Sequence, residues 1–376
     1  MGASPLGLTW GQVLSWRMDR QFLDRREDVD TAGVVRRLAG VQAQVASSAE
    51  QAVAVRRPSA TGDVAGALAD RVIVKTWAQR GTLHVLAADD AAAYLSLLAA
   101  ARTWEKGAWQ REFATADQMA AIAEAAAEVL DGAVLTREEL VSEILARVGD
   151  PTLAEKLGSG WGAVLKPLAW QGLLCNGISH GNRVTFTSPA TWLPTWKGLP
   201  EPEDAAAVVI PAYLGAHGPA SPACFDQWLH RGATKKATLR SWFAALAENG
   251  VLAEADVDGE RLYARVADLD ALSAAEPTQR VRLLPAFDQY VLGPGTKDHH
   301  VIAPARRSLI SKAAGWISPV VVAGSRVAGT WQADGDALAV ELFGESEPVD
   351  RSALDAEIAV LEHVLGRQLT ASVGTI

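Results

Sequence analysis

Gln42 and Gln44 flank a small apolar residue in the segment Gly40-Val41-Gln42-Ala43-Gln44, and their type and spacing suggest chemistry. A glutamine amide is no acid or base at neutral pH, but it carries two donors and an acceptor. Two such amides can hold and orient one water. In an extended segment, period-two alternation sends both to one face and Ala43 to the other. On a helix they lie about 200° apart and reach one pocket only where the helix ends, and Gly40 supplies such an ending. The bland alternative is that both amides bond backbone in a helix–loop joint.

Other chemistry is sparse. The seven histidines form no His-x-x-x-His pattern and the two cysteines, Cys175 and Cys224, no Cys-x-x-Cys pair, so neither a metal nor a cofactor is expected. Both cysteines read as small buried hydrophobes. Gly293-Pro294-Gly295-Thr296-Lys297 hints at a phosphate loop but lacks the upstream glycine, leaving a turn with an exposed lysine. Asp298-His299-His300 beside it reads as an acid–base pair or as exposed turn residues. His84, in an apolar stretch, reads as a core histidine.

The elements that must position these residues have an ordinary globular composition. Of 376 residues, 49% are hydrophobic and 21% charged, enough for two or three domains. No basic segment followed by an apolar run opens the chain, and no apolar stretch reaches membrane-spanning length, so a cytoplasmic protein is expected. The net charge of −9 opposes indiscriminate DNA binding. The basic residues are nevertheless clustered, at Arg36-Arg37, Arg56-Arg57, Lys235-Lys236 with Arg240, and Arg306-Arg307, while acids dominate 117–155, 201–204 and 334–362.

Periodicity predicts an α+β chain. A helix over 9–24 (Val13, Leu14, Met18 and Phe22 inward) is followed by a second after Asp30-Thr31, a third over 49–56 capped by Ser47-Ser48, and a short one at 63–69. Val72–Trp77 and Thr82–Leu86 read as strands joined by a bend at Arg80-Gly81. The order recurs. Thr136-Arg137-Glu138-Glu139 is a capping box, with helices near 152–157 and over 161–174, then a strand–turn–strand wing over 174–186. Helices at 203–216, after Ser221-Pro222 and after Thr234 precede a hairpin turning at Asp258-Gly259. Beyond 278, four strand-like runs, a helix at 350–365 and a closing strand form a mixed α/β, strand-rich closing domain. We therefore expect tandem winged-helix units, about three, at 1–115, 116–200 and 201–277, with the closing domain at 278–376.

A winged helix lays its third helix in the DNA major groove and touches backbone with its wing. That helix would present Lys235, Lys236 and Arg240 in the third unit, and Ser159, Lys166 and Gln171 in the second; equally, these could be solvated faces of packing helices. Arg80 and Thr82 could contact phosphate, or Arg80 could be a structural ion-pair partner. The thirteen tryptophans, spread at helix spacing, read mostly as core.

Three motifs in order, Gly40–Gln44, Lys75-Thr76-Trp77-Ala78-Gln79-Arg80-Gly81-Thr82-Leu83-His84 and Leu284-Pro285-Ala286-Phe287-Asp288-Gln289-Tyr290-Val291-Leu292-Gly293, give the whole chain a resemblance. It resembles the bacterial winged-helix superfamily containing the DNA glycosylases AlkZ and YcaQ. In AlkZ-like members a Gln-apolar-Gln motif is catalytic, whereas YcaQ-like members carry Asp at the second position. Gln42 and Gln44 match the AlkZ-like form. The resemblance further implies tandem winged helices around a duplex channel and a hairpin that probes DNA, for which the wing carrying His180, Asn182 and Arg183 is the candidate.

Two glutamines suit one kind of glycosidic bond. A purine alkylated at N7 or N3 is already cationic and leaves neutral, so no general acid is needed, only a placed water and dipoles toward the developing sugar cation. The expected activity is therefore a monofunctional DNA glycosylase acting on cationic N-alkylpurines in duplex DNA, as a monomer. No lysine beside the motif could form a Schiff base; Lys75 is the nearest. The competing expectations are a non-catalytic winged-helix DNA-binding or regulatory protein, and a scaffold that no longer binds DNA.

Overall fold

The computed structural model describes residues 6–376 except His180 and Asn182. The chain forms two compact units, neither of them contiguous: residues 1–64, 210–228 and 243–376 make the first, and 65–209 with 229–242 the second. The architecture is α+β, with many helices and several small sheets.

In the first unit, the helix Trp10–Arg20 starts at a capping box in which the Thr9 hydroxyl accepts from Gln12 N and the Gln12 side chain accepts from Thr9 N. Its stripe is buried, but Phe22 lies past the helix end in the left-handed region at φ 58°. Leu14 and Met18 join Leu23, Leu284, Val320 and Val322 in one core, so the start of the chain packs on the sheet near its end. Fully burying each such side chain stabilises by about 1.5–3 kcal/mol. That sheet has five strands, Val281–Leu284, Val320–Ala323, Arg326–Asp334, Ala337–Leu342 and Thr370–Thr375. The first four pair antiparallel, and the last joins parallel after the crossover helix Arg351–Leu365.

The hairpin Leu252–Val257 and Glu260–Arg265 turns at Asp258 and Gly259, both at positive φ, as a two-residue turn requires. Sequence periodicity missed its third strand, Leu6–Leu8, which is too short to show a pattern and pairs parallel with 255–257.

In the second unit, Ile73–Trp77 and Leu83–Ala87 form an antiparallel ribbon through the turn Gln79–Gly81. A small sheet pairs Thr185–Thr187 with both Leu135–Thr136 and Cys175–Asn176. The capping box at Thr136 opens the helix Arg137–Val148 as predicted. The helix expected over 161–174 is only Leu165–Trp170: residues 160–161 form a turn and Gly162, at φ 62°, stands outside helical geometry. The helix expected from residue 49 begins at Ala46, with Val45 as N-cap and both serines inside its first turn.

Candidate active site

The helix Thr31–Arg37 ends in a Schellman arrangement. Gly40 N donates to Val35 O (2.9 Å) and Ala39 N to Arg36 O (3.1 Å), with Ala39 at φ 56° and Gly40 at φ 104°. The chain leaves it extended at Val41–Gln42 and bends at Gln44 straight into the helix Ala46–Ala54. Both parts of the sequence reading thus meet here, a helix that ends and an extended segment after it. Burial separates the two amides. Gln42 is buried and Gln44 exposed, while Val41 and Ala43 are buried on either side of Gln42. Among the described residues, nothing donates a hydrogen bond to the buried Gln42 Oε1. Such an acceptor costs free energy unless something completes it.

Behind this segment lies a buried polar chain. Arg56, two residues past the helix Ala46–Ala54, bonds Asp288 through two nitrogens (2.7 and 2.8 Å), Ala52 O (2.7 Å) and Gln21 O (3.0 Å). Gln21 Nε2 donates to Ala216 O (2.9 Å) and to His217 Nδ1 (3.2 Å), and His217 Nε2 donates to Leu38 O (3.3 Å). Within the Leu284–Gly293 motif two residues hold the fold: Asp288 anchors Arg56 and caps Tyr290 N (2.8 Å), and Tyr290 Oη donates to Ser325 O (2.6 Å). Gly293, the start of the suspected phosphate loop, lies against the His217 ring.

The turn reading of the neighbouring residues holds in part. Lys297 and His299 are exposed. Asp298 accepts from His300 N (2.9 Å) and Arg17 Nη1 (3.4 Å), and His300 is half-buried, stacked on Trp10 with ring centroids 3.8 Å apart. Cys175 is buried, its thiol pKa pushed up by desolvation, but Cys224 is exposed, against expectation.

Every described DNA-contact candidate lies in the second unit. Arg80 is half-buried at φ 56°, and the Thr82 hydroxyl donates to Gln79 O (3.2 Å), tightening the turn. Lys166 is half-buried, its ammonium pKa lowered by burial and then by the charge of Arg231. Arg183, Lys235, Lys236 and Arg240 are exposed, while His180 and Asn182 lie outside the described residues. Gly177-Ile178-Ser179-His180-Gly181 has the spelling of a nucleophile elbow, but among the described residues the element after the strand Cys175–Asn176 is the strand Thr185–Thr187 and not a helix, so the serine lacks that context.

His84 is a core histidine, as expected, with a difference. Nδ1 donates to Thr82 O (3.1 Å), and burial, then the Arg80 charge, lowers its pKa to about 3. Nε2 is thus a bare acceptor, and neither it nor the buried hydroxyl of Thr76, its partner across the ribbon, has a protein hydrogen bond among the described residues. Thr76 stands in the Lys75–His84 motif without an expected role, although its place two residues after the buried Val74 on the strand Ile73–Trp77 marks it as an inward polar group. Lys75 is partly buried, which lowers its pKa. Among the described residues no group of three potential ligands could hold a metal, and no helix is long and apolar enough to cross a membrane.

The family described as DNA glycosylase AlkZ-like matches residues 35–364. The interstrand DNA cross-link repair glycosylase of Streptomyces sahachiroi is 46% identical over 361 residues, covering 95% of this chain and 97% of that protein. The solved structure of Streptomyces sahachiroi DNA glycosylase AlkZ aligns with a TM-score of 0.93 at 44% identity, covering 98% of this chain and all of that one.

Proposed function

The chain belongs to the DNA glycosylase AlkZ-like family, and from that premise we propose that it hydrolyses the N-glycosidic bond of cationic N7- and N3-alkylated purines in duplex DNA. Adducts that bridge two strands through such a nitrogen fall in the same chemical class. The observation that carries the reading is Gln42 Oε1, a buried acceptor to which no described residue donates. A water donating to it is fixed in orientation, with Gln44 as the second amide.

The reaction balances without an acid. The water oxygen bonds to C1′ as the C1′–N9 bond breaks. The electron pair of that bond passes to the purine and cancels its positive charge, and the water proton goes to solvent. Glutamine carbonyl dipoles aimed at the sugar favour its developing cation. The exposed cations Arg183, Lys235, Lys236 and Arg240, with Lys166, Arg80 and Thr82, serve as contacts to the duplex backbone. His180 and Asn182 extend that set. The protein acts as a monofunctional enzyme and a monomer.

The test is release of N7-methylguanine from methylated duplex by wild type, Gln42→Ala and Gln44→Ala. Release by wild type and a loss of about a hundredfold in each variant is expected. Equal release by all three would remove the motif from catalysis. No release by wild type would leave a DNA-binding regulator as the better reading.

A further inference from the structure

Trp161 is 79% exposed, whereas Trp10, Trp16, Trp77, Trp104, Trp170, Trp192, Trp228, Trp242 and Trp331 are buried. An indole left in water forgoes burial of about 150–250 Å² of mostly apolar surface, so folding gives no reason for it. The turn that carries it is nonetheless firmly built. Ser159 O accepts from Arg137 Nη1 (3.1 Å) and from Gly162 N (3.0 Å), and Gly162 O receives Lys166 N (2.9 Å) as the next helix begins. Gly162 stands at φ 62° with Trp77 so close that a Cβ would come within 2.6 Å of the indole. Arg137 in turn lies over Phe186 (5.2 Å), which stacks on Trp77 (5.9 Å). The pedestal is fixed on both sides while Gly158 and Gly160 leave open space around it. Along the chain, the stretch from Lys156 to Lys166 that carries the indole contains no acidic residue, although Glu155 stands just before it, in a protein of net charge −9.

A solvent-facing indole on a hydrogen-bonded turn, flanked in the sequence by Lys156 and Lys166, matches a nucleobase beside a phosphate backbone: the ring face stacks and nearby cations meet phosphates. We propose that Trp161 is a DNA-stacking residue that packs on a base of the bound duplex and thereby positions it. This rests on the glycosylase reading for its biological sense, but it concerns binding and can be tested apart from base release.

The experiment measures fluorescence anisotropy of a short labelled duplex carrying a tetrahydrofuran abasic site, with wild type, Trp161→Ala and Trp161→Phe. Both variants should melt at the wild-type temperature, since the side chain supports nothing in the fold. Trp161→Ala should bind about tenfold or more weakly, with an unchanged slope of log Kd against log salt, because stacking releases no counterions. Trp161→Phe should recover most of the loss. Equal affinity of Trp161→Ala and wild type would overturn the proposal, as would a change in self-association with duplex affinity unaltered. Trp161-dependent binding by a wild type that releases no base would sustain the stacking role and remove the glycosylase reading. A wild type that releases base but binds independently of Trp161 would do the reverse, and no duplex binding at all would overturn both.

Discussion

Arg56 and Asp288 stand 232 residues apart in sequence and meet in a two-point ion pair at 2.7 and 2.8 Å, with neither side chain exposed to solvent. Arg56 follows the helix that begins just after Gln44, and Asp288 belongs to the strand–helix joint under the five-stranded sheet. The pair therefore ties the glutamine segment to the far end of the chain. Its remaining hydrogen bonds, to Ala52 O, Gln21 O and Gln21 Oε1, complete the guanidinium, which lets a buried charge persist.

Breaking one side of that pair should be costly. Asp288→Asn leaves a buried guanidinium without its counter-charge, and a loss of about 3–5 kcal/mol in urea unfolding is expected. Arg56→Met with Asp288→Leu removes both charges and should lose less than the sum of the single variants. A single-variant loss under about 1 kcal/mol would show that the pair anchors nothing.

Gly293→Ala should destabilise by roughly 1–3 kcal/mol. Its Cβ would lie 2.1 Å from His217 Nδ1, and that ring is held by Gln21 and by Leu38 O, so it cannot easily yield. Gly295→Ala tests the contrast. Nothing lies within 4 Å of its would-be Cβ, so its only strain is backbone, at φ 91°. Chemical denaturation of the two variants measures packing against conformation.

Much of this was legible in the sequence, and the failures have physical causes. Capping boxes and β-branched runs are local signals, so the helix after Thr136 and the ribbon around Arg80-Gly81 were readable. Pairing between distant segments was not. Leu6–Leu8 is a strand only because residues 255–257 offer an edge, and Asp288 turned out to be an anchor only because Arg56 arrives beside it. The glutamine segment could be read as extended or as a helix end, and it is one following the other. Its split into a buried and an exposed amide depends on tertiary packing, which periodicity does not carry. Trp161 was hidden among thirteen tryptophans for the same reason.

Acid should expose His84. Its folded pKa of about 3 lies below the ordinary 6.5. Above about pH 6.5 the ring is neutral in folded and unfolded chains alike and contributes nothing to pH dependence. Below that, the unfolded chain binds a proton that the folded one refuses, so stability falls at about 1.4 kcal/mol per pH unit until the folded pKa is reached. His84→Asn, which keeps a donor for Thr82 O, should lose about 2 kcal/mol less than wild type between pH 7 and pH 5 in urea titrations. Parallel losses in the two proteins would place the acid sensitivity elsewhere.

The leaving group decides the last prediction. Neither Gln42 nor Gln44 titrates, so the rate on a permanently cationic base should be set by water placement alone. With N3-methyladenine as the base, single-turnover release should be flat between about pH 6 and pH 9, provided the protein stays folded. Uracil, which leaves as an anion unless protonated, should be released at least about a hundredfold more slowly, because no acid is supplied to it. Free-base chromatography on the two duplexes measures both. A bell-shaped profile for N3-methyladenine would mean that an ionisable side chain shares the work. Efficient uracil release abolished by Gln44→Ala would mean that the amides do more than hold a water.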